Sequence, residues 1–311
     1  MTTALFTHAA CVEHDTGPGH PESPARLKAV LDALEGVAFA ALDRRVAPAA
    51  TPEQLARAHP AAYVEAVLEA MPAEGYVMLD ADTIASPGSR EASLRAAGAV
   101  MAAIDAVVGG EVRNAFCAVR PPGHHAEATA PMGFCVFNNV VVGARHARAV
   151  HGLRRVAVVD FDVHHGNGTQ HLFEADAELF YASTHQWPFY PGTGAKEERG
   201  CGNIWNAPLE AGSGSREFRA AMERVILPAL DRFRPELVLV SAGFDAHAAD
   251  PLAMLQLGEP DYVWITEELL RIANRHAQGR LVSALEGGYD LAALAASAAA
   301  HVQTLMAART S

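Results

Sequence analysis

Ionisable side chains follow an apolar segment in the sequence VAVVDFDVHHGNG at residues 156–168. If the apolar part forms a strand, residues two apart share a face, so Asp160, Asp162 and His164 point the same way near its carboxyl end. Open α/β sheets bind their ligands at that end. Carboxylates with an imidazole suit a divalent cation such as Zn²⁺, Fe²⁺ or Mn²⁺. The alternative is that these side chains only cap the following helix, but their density favours a metal site.

Two adjacent histidines follow a second apolar segment, in RPPGHHAEA at residues 120–128. The two prolines cannot continue a central strand and Gly123 permits close backbone approach, so the sequence predicts a stiff turn that holds His124 and His125. Neighbouring imidazoles can divide the roles of general base and general acid when their partners differ. A histidine pair alone is more often structural, whereas a pair beside a metal site favours catalysis.

A third polar group, SAGFDAHAADPL at residues 241–252, also follows an apolar segment. Asp245 or Asp250 can complete a site with three protein ligands and one open position, which is typical of catalytic zinc. The alternative for Asp250 is a turn, because Asp-Pro favours turn initiation. Spacing alone does not choose between the two acids.

The fourth group is LEGGYDL at residues 285–291. Its two glycines let the backbone turn tightly after a strand. The phenol of Tyr289 can there donate a hydrogen bond to charge that develops on a substrate oxygen. The alternative is a tyrosine that only packs over the end of the sheet.

Short apolar runs alternate with longer Ala- and Leu-rich segments of helical spacing, which predicts an α/β fold with strands covered on both faces. Predicted strands cover residues 4–7, 115–119, 156–161, 179–183, 237–241 and 281–285. Predicted helices cover residues 24–34, 52–58, 61–70, 90–108, 140–150, 215–233, 260–277 and 291–307. No repeat or linker divides the chain, so a single domain of residues 1–311 is expected. Two loops rich in turn-forming residues, 13–24 and 184–206, are predicted to frame a pocket mouth.

The composition narrows the class of partner. Lysine and arginine number 24 against 36 acidic residues, a formal charge of −12, which argues against nucleic acid or an anionic membrane as partner. The four cysteines form no C-x-x-C pair, so a disulfide framework or zinc ribbon is not expected. The first residues lack a basic and apolar leader, and the apolar runs are too short to span a bilayer. A cytoplasmic protein is therefore expected, with its oligomeric state left open.

Taken together and in order, these motifs resemble the histone deacetylase family, most closely its class II and bacterial members. The matching segments are HPESPARL, RPPGHHAE, GFCVFNN, VDFDVHHGNGTQ, YPGTG, SAGFDAHAADP and LEGGYDL. The resemblance runs from residue 20 to the last predicted helix. It implies the three-layer α/β arginase/deacetylase fold, in which helices flank a mostly parallel sheet of about eight strands.

The resemblance also assigns roles. It implies that Asp250 is the third metal ligand beside Asp162 and His164, with Zn²⁺ as the ion and Fe²⁺ as an alternative. The tandem pair His124 and His125 would be catalytic with Tyr289, and the partners of the two histidines would be Asp160 and Asn167 respectively. A structural K⁺ ion would lie at Asp160, Asp162, His164 and Ser183, bound mainly through backbone oxygens.

The substrate implied by the resemblance is an acyl-lysine protein or peptide. Phe134 and Tyr190 would form two aromatic walls around the lysine stem, next to Gly133. Leu257 stands where polyamine deacetylases of the family carry a glutamate, which favours acetyl-lysine over acetylpolyamine. The remaining expected substrate contacts are His20 and Pro21 at the rim and Asp82 toward the substrate backbone.

Three other functions were weighed. The first is a small acylated amine as substrate, such as an acetylpolyamine. The second is a non-catalytic acyl-lysine binding protein, which the presence of Tyr289, all three ligands and both histidines argues against. The third is a ureohydrolase with two Mn²⁺ ions, which shares the fold, but the carboxylates for a second metal are missing.

Overall fold

Ten strands form along the chain in the computed structural model, which describes residues 2–308. They are β1 Thr3–Thr7, β2 Asp43–Val46, β3 Val77–Met78, β4 Ile84–Ala85, β5 Asn114–Cys117, β6 Val156–Asp160, β7 Leu179–Gln186, β8 Ile204–Leu209, β9 Leu237–Ala242 and β10 Leu281–Leu285. Eight of them make one parallel sheet in the order β2-β1-β5-β10-β9-β6-β7-β8. The other two, β3 and β4, pair as a short antiparallel ribbon.

Helices flank this sheet because each parallel connection needs a crossover. They are α1 Pro24–Ala33, α2 Pro52–Leu55, α3 Ala61–Ala70, α4 Ser89–Val108, α5 Asn139–His151, α6 Asn167–Phe173, α7 Ser215–Ala221, α8 Leu227–Phe233, α9 Glu259–His276 and α10 Leu291–Ala307. A five-residue π-helical segment, Met222–Ile226, joins α7 to α8. The sequence pattern predicts these two helices as one.

Burial explains why the central strands have apolar sequences. Every residue of β5, β6, β9 and β10 is buried. By contrast, the edge strand β2 has the sequence DRRV and alternates between half-buried and exposed residues. Covered strands are apolar on both faces and edge strands are not, so the sheet has the pattern of a doubly covered α/β fold.

The fold class predicted from the sequence is confirmed, and the six predicted strands are all present. Five elements were missed: β2, β3, β4, β8 and α6. The predicted loop 184–206 contains the end of β7 and the beginning of β8, because β7 continues to Gln186 and β8 begins at Ile204. Among residues 2–308, no helix combines the length and hydropathy needed to cross a membrane.

The sheet order explains how distant motifs meet. The strands β5, β10, β9 and β6 are consecutive neighbours in the sheet. Each runs directly into one of the four polar groups identified in the sequence, and parallel strands present their carboxyl ends at the same edge. The four groups therefore converge at one place, although the first lies at residues 120–128 and the last at residues 285–291.

Candidate active site

Three buried ligand-type side chains meet at this edge. The His164 Nδ1 atom lies 3.1 Å from Asp162 Oδ1 and 3.2 Å from Asp245 Oδ2. One ligand atom from each residue lies within 4.8 Å of the others. The exposed fractions are 1% for Asp162, 9% for His164 and 0% for Asp245. Two carboxylates and an imidazole at this spacing suit a divalent cation.

The surroundings of Asp245 support a cation here. Its Oδ1 accepts a hydrogen bond from the backbone N–H of Val163 at 2.9 Å. Its Oδ2 is buried and receives no hydrogen bond, since His164 Nδ1, 3.2 Å away, is hydrogen-bonded to Asp162 Oδ1 instead. The pKa of Asp245 is raised by burial and then by the charge of Asp162. Two buried carboxylates this close destabilise each other unless a positive charge compensates them. The residues present therefore fit a bound divalent metal ion.

Asp250 lies beside this group but is not part of it. Its Oδ2 accepts the backbone N–H of Tyr289 at 2.7 Å, and its Oδ1 accepts that of Leu252 at 2.9 Å. Burial, followed by the charge of Asp245, raises the pKa of Asp250 to about 6. Spacing alone left Asp245 and Asp250 open, and the structure places Asp245 nearer to Asp162 and His164.

The two tandem histidines have different partners. The Nδ1 of His124 lies 3.0 Å from Asp160 Oδ2, and the Nδ1 of His125 lies 2.8 Å from Asn167 Oδ1. Although burial opposes it, the charges of Asp162 and Asp160 raise the pKa of His124 to about 10. Burial and the neighbouring charges of His124 and His164 lower the pKa of His125 well below its usual value. One ring is therefore held cationic and the other neutral.

The tautomer of His125 follows from Asn167. The amide nitrogen of Asn167 donates to Glu127 Oε1 at 2.9 Å, which leaves its oxygen facing His125. An amide oxygen only accepts, so the proton of neutral His125 is on Nδ1 and its Nε2 carries a free lone pair. This is the protonation state that a general base requires.

A narrow cavity of about 100 Å³ opens over these groups. Its walls are Asp82, His125, Gly133, Phe134, His164, Tyr190, Leu252 and Tyr289. The rings of Phe134 and Tyr289 lie 6.0 Å apart at 77°. Tyr190 stands edge to face with His125, with ring centroids 5.2 Å apart. The cavity is thus a slot with aromatic walls, and imidazole and phenol groups line it.

A tight turn positions the Phe134 wall. Met132 and Cys135 pair as an antiparallel bridge around Gly133 and Phe134, which have φ of 56° and 68°. Positive φ at both central residues is what a type I′ turn requires. A Cβ atom at Gly133 would lie 2.3 Å from the His125 ring, so only glycine fits there. The backbone N–H of Gly133 donates to Asp82 Oδ1 at 2.9 Å.

Three residues expected to contact substrate lie outside the cavity wall. Leu257 is 2% exposed and its backbone bonds to Ala246 and Ala248, while Leu252 occupies the wall on that side. His20 stands edge to face with Phe134 at 4.8 Å, at the rim. Together with Pro21, His20 lines a separate shallow depression next to Tyr76.

The four positions implied for a monovalent cation lie at or just after the end of β6 and beside it in the middle of β7. Asp160 pairs in register with Ser183, and both are fully buried. The Asp160 side chain accepts hydrogen bonds from the Tyr181 hydroxyl at 3.1 Å and the Asp162 backbone N–H at 3.1 Å. Ser183 Oγ lies 2.9 Å from His185 Nδ1.

Glu286 is a charged residue at the end of β10 to which the sequence motifs assign no role. Its Oε2 accepts the backbone N–H groups of Gly123 and His124, at 2.7 and 3.2 Å, and Ser241 donates to its Oε1 at 3.0 Å. Burial raises the pKa of Glu286 to about 7. This carboxyl group holds the tandem-histidine turn against the end of β10.

A buried ion-pair network behind Tyr289 was also missed. Glu22 lies between Arg26, at 2.8 Å, and Arg120. Arg26 donates to the backbone oxygens of Gly288 at 2.5 Å and Glu286 at 2.6 Å, and its guanidinium carbon lies 4.8 Å from the centre of the Tyr289 ring. The sequence signal for it is the i,i+4 spacing of Glu22 and Arg26 within HPESPARL, a segment from which only His20 and Pro21 were predicted to have a role, at the rim.

Comparison with known proteins adds independent information. The model of the family described as "Histone deacetylase domain" matches residues 20–305. A histone deacetylase-like amidohydrolase of Pseudomonas aeruginosa is 42% identical over 333 aligned residues, which cover 99% of this chain and 87% of that protein. Polyamine deacetylase HDAC10 of Homo sapiens is 40% identical over 98% of this chain and 48% of its own length.

The fold has a close solved counterpart. The structure described as "Crystal Structure of HDA15 HD domain" superposes with a TM-score of 0.93 at 35% identity and covers 100% of this chain and 89% of that one. Similarity at this level extends over the whole sheet and its helices.

Proposed function

The chain belongs to the histone deacetylase family of amidohydrolases, and from this premise we propose that it is a metal-dependent deacetylase of acyl-lysine in proteins or peptides. The observation that carries the proposal is the narrow cavity in which His125, His164 and Tyr289 meet. Hydrolysis of an amide needs an activated water, a base and a donor for the oxyanion, and this cavity offers a residue for each.

Asp162, His164 and Asp250 would hold a Zn²⁺ or Fe²⁺ ion. Asp250 is preferred to Asp245 as the third ligand because the open coordination position must face the cavity. Asp250 accepts hydrogen bonds from the backbone N–H groups of Leu252 and Tyr289, which both line the cavity, whereas Asp245 is fully buried. When bound, such a cation polarises the amide carbonyl and lowers the pKa of a nearby water. A K⁺ ion at Asp160, Asp162, His164 and Ser183 would have a structural role.

His125 acts as general base. Its free Nε2 lone pair takes a proton from water, while Nδ1–H keeps its hydrogen bond to Oδ1 of Asn167. The same Nε2 then gives the proton to the leaving amine, because His125 lines the cavity and His124 does not. His124, held cationic between Asp160 and Asp162, stabilises negative charge that develops next to it.

Tyr289 donates its phenol hydrogen to the oxyanion. Burial raises the pKa of Tyr289 well above its usual value, so the hydroxyl keeps its proton at neutral pH. The backbone N–H of Tyr289 is held by Asp250, and Arg26 holds the preceding carbonyl group. The donor is therefore preorganised before substrate binds.

The slot between Phe134 and Tyr190 supports a neutral, unbranched acyl-lysine stem as substrate. A small acylated amine is the second candidate, because one relative is named a polyamine deacetylase and Asp82 offers a carboxylate in the cavity wall. A distal ammonium group would pair with such a carboxylate, whereas a peptide substrate has no charge at that point.

The deciding experiment compares kcat/KM for an acetyl-lysine peptide and for N-acetylputrescine on the zinc-loaded protein. We expect the peptide to be preferred, and a preference for N-acetylputrescine that Asp82→Asn abolishes would establish the second candidate. His125→Ala should remove turnover of both substrates. His171→Ala is the matched control, since His171 is 53% exposed and lies away from the cavity wall. Equal activity of His125→Ala and the control would refute the proposed mechanism.

The four cysteines are free, three of them buried, and this supports a reducing, cytoplasmic location. Fractionation of cells producing the tagged protein measures it directly.

A further inference from the structure

A second group of ligand-type side chains lies away from the cavity, where α4 meets the end of α5. The Nε2 atoms of His146 and His151 each lie 2.6 Å from Oδ1 of Asp105. Among residues 2–308, this group and the one at His164 are the two sets of three such side chains whose ligand atoms lie within 4.8 Å of one another. The proposed reaction makes no use of it.

The chemistry of the group suits a metal ion. Two imidazole nitrogens and one carboxylate oxygen form a donor set for borderline divalent cations such as Zn²⁺, and three protein ligands leave room for water. Solvent reaches the group, because the side chain of Asp105 is 50% exposed and that of His151 is 20% exposed. His146 is only 6% exposed and anchors the group to the protein.

The two helices that carry the ligands are fixed relative to each other. At Gly143 on α5, a Cβ atom would lie 2.5 Å from Val100 Cγ1 and 2.9 Å from Ile104 Cδ1, both on α4. The glycine therefore allows unusually close packing of α4 against α5, one turn before His146. Ligands on rigid, packed elements need little reorganisation to bind an ion.

We propose that Asp105, His146 and His151 bind one Zn²⁺ ion that links α4 to α5, independently of the candidate active site. The ion replaces the two hydrogen bonds that the histidines now make to Asp105. Because it bridges the helices in the folded protein only, it stabilises the fold as the zinc concentration rises.

Arg57 controls the affinity of this site. Its Nη1 lies 2.6 Å from Nδ1 of His146, and a guanidinium only donates, so Nδ1 accepts and the proton of neutral His146 is on Nε2. Binding of zinc at Nε2 moves that proton to Nδ1, where it conflicts with Arg57. The half-buried Arg57 side chain must then turn away. Arg57→Gln removes both the conflict and a positive charge, since an amide oxygen accepts from Nδ1–H.

The test counts bound zinc by elemental mass spectrometry after dialysis against buffered zinc, and it needs no activity. Wild type should bind one ion per chain more than His151→Ala or Asp105→Asn, while His171→Ala should match wild type. The half-exposed Asp105 makes Asp105→Asn the safeguard if His151→Ala folds poorly. Arg57→Gln should lower the Kd of this ion about 10-fold. This is the size of change that groups next to a metal ligand typically cause when they are mutated.

An equal zinc content in wild type, His151→Ala and Asp105→Asn would overturn the site, and the three side chains would then serve only as a hydrogen-bonded tie between helices. An unchanged or weaker affinity in Arg57→Gln would overturn the part of the proposal that gives Arg57 control of the affinity. A melting temperature that rises with zinc in wild type and Arg57→Gln, but not in His151→Ala, would support the site independently.

Discussion

Single hydrogen bonds determine what each polar residue of the cavity can do. Asn167 leaves Nε2 of His125 with a free lone pair, and the charges of Asp162 and Asp160 raise the pKa of His124. An aspartate in place of Asn167 would present a charge to the His125 ring and raise the pKa of that ring. The two histidines therefore differ in their partners as well as in their access to the cavity.

The first prediction concerns Tyr289. Tyr289→Phe removes one hydrogen-bond donor to the oxyanion and leaves the ring packed against Phe134 and Arg26. Loss of such a donor typically costs about 10²- to 10³-fold in rate. We expect kcat to fall by that factor with zinc content unchanged. Unchanged turnover would exclude Tyr289 from the reaction.

The second prediction separates the two candidate acids. Asp250→Asn should abolish zinc binding at the active site, because an amide supplies no charge to compensate the ion. Asp245→Asn should weaken zinc binding only about 10- to 100-fold, as expected for a group that orients His164. Metal content at a fixed free zinc concentration measures both. The reverse order would make Asp245 the third ligand.

Adjacent strands bring the site together, and the strands and helices differ in how well the sequence predicts them. The sequences of β5, β6, β9 and β10 are largely apolar, so the sequence predicted both these strands and the polar groups at their carboxyl ends. The strand β2 was missed because DRRV is an edge strand whose polar residues face solvent. The strand β8 was missed because Pro208 and Asn206 interrupt its apolar pattern. The helix α6 was missed because Gly166 and Gly168 flank its first residue, Asn167.

Contacts between distant segments were the part of the site that sequence patterns do not encode. The bond from Arg26 to Gly288 joins residues 262 positions apart, and only the sheet order brings them together. The proximity of Asp245 to His164 likewise depends on the register of β6 against β9. Leu257 and Leu252 are both leucines in one loop, so no residue type distinguished which of them lines the cavity.

The third prediction concerns the turn at Gly133. Gly133→Ala combines left-handed strain with a clash against His125, so it should lower stability by about 2 to 4 kcal/mol and greatly reduce activity. Gly152→Ala is the matched control, because Gly152 has φ of 66° and open space around its Cβ position. The control should cost about 1 to 2 kcal/mol and keep kcat/KM. Equal effects of the two variants would contradict the steric argument.

For the whole molecule, buried neutral histidines make stability depend on pH. His301 is fully buried between Thr266 and Ser283, and burial lowers its pKa to about 3. The unfolded chain, with a histidine pKa of about 6.5, binds the proton more readily. The stability that this group contributes is therefore complete above pH 6.5 and is lost as the pH falls from 6.5 toward 3.

The fourth prediction follows from this loss of stability at low pH. Between pH 7 and pH 5, His301 should cost the folded protein about 2 kcal/mol, because the loss accumulates at about 1.4 kcal/mol per pH unit below 6.5. In His301→Gln, which keeps a donor and an acceptor, the fall in unfolding free energy over this range should be smaller by that amount. Urea unfolding at both pH values measures it. Parallel losses in the two proteins would contradict the assignment.

The Arg26 contact carries a consequence for biosynthesis. A ribosome synthesises the segment with Glu22 and Arg26 well before Tyr289, so Arg26 cannot contact Tyr289 until the chain has grown past residue 289. Cleavage by a protease between α1 and β2 would place Arg26 and Tyr289 on separate fragments, and we expect it to reduce turnover while leaving the interior of the sheet intact. Loss of turnover with preserved circular dichroism would indicate that the contact between Arg26 and Tyr289 is lost.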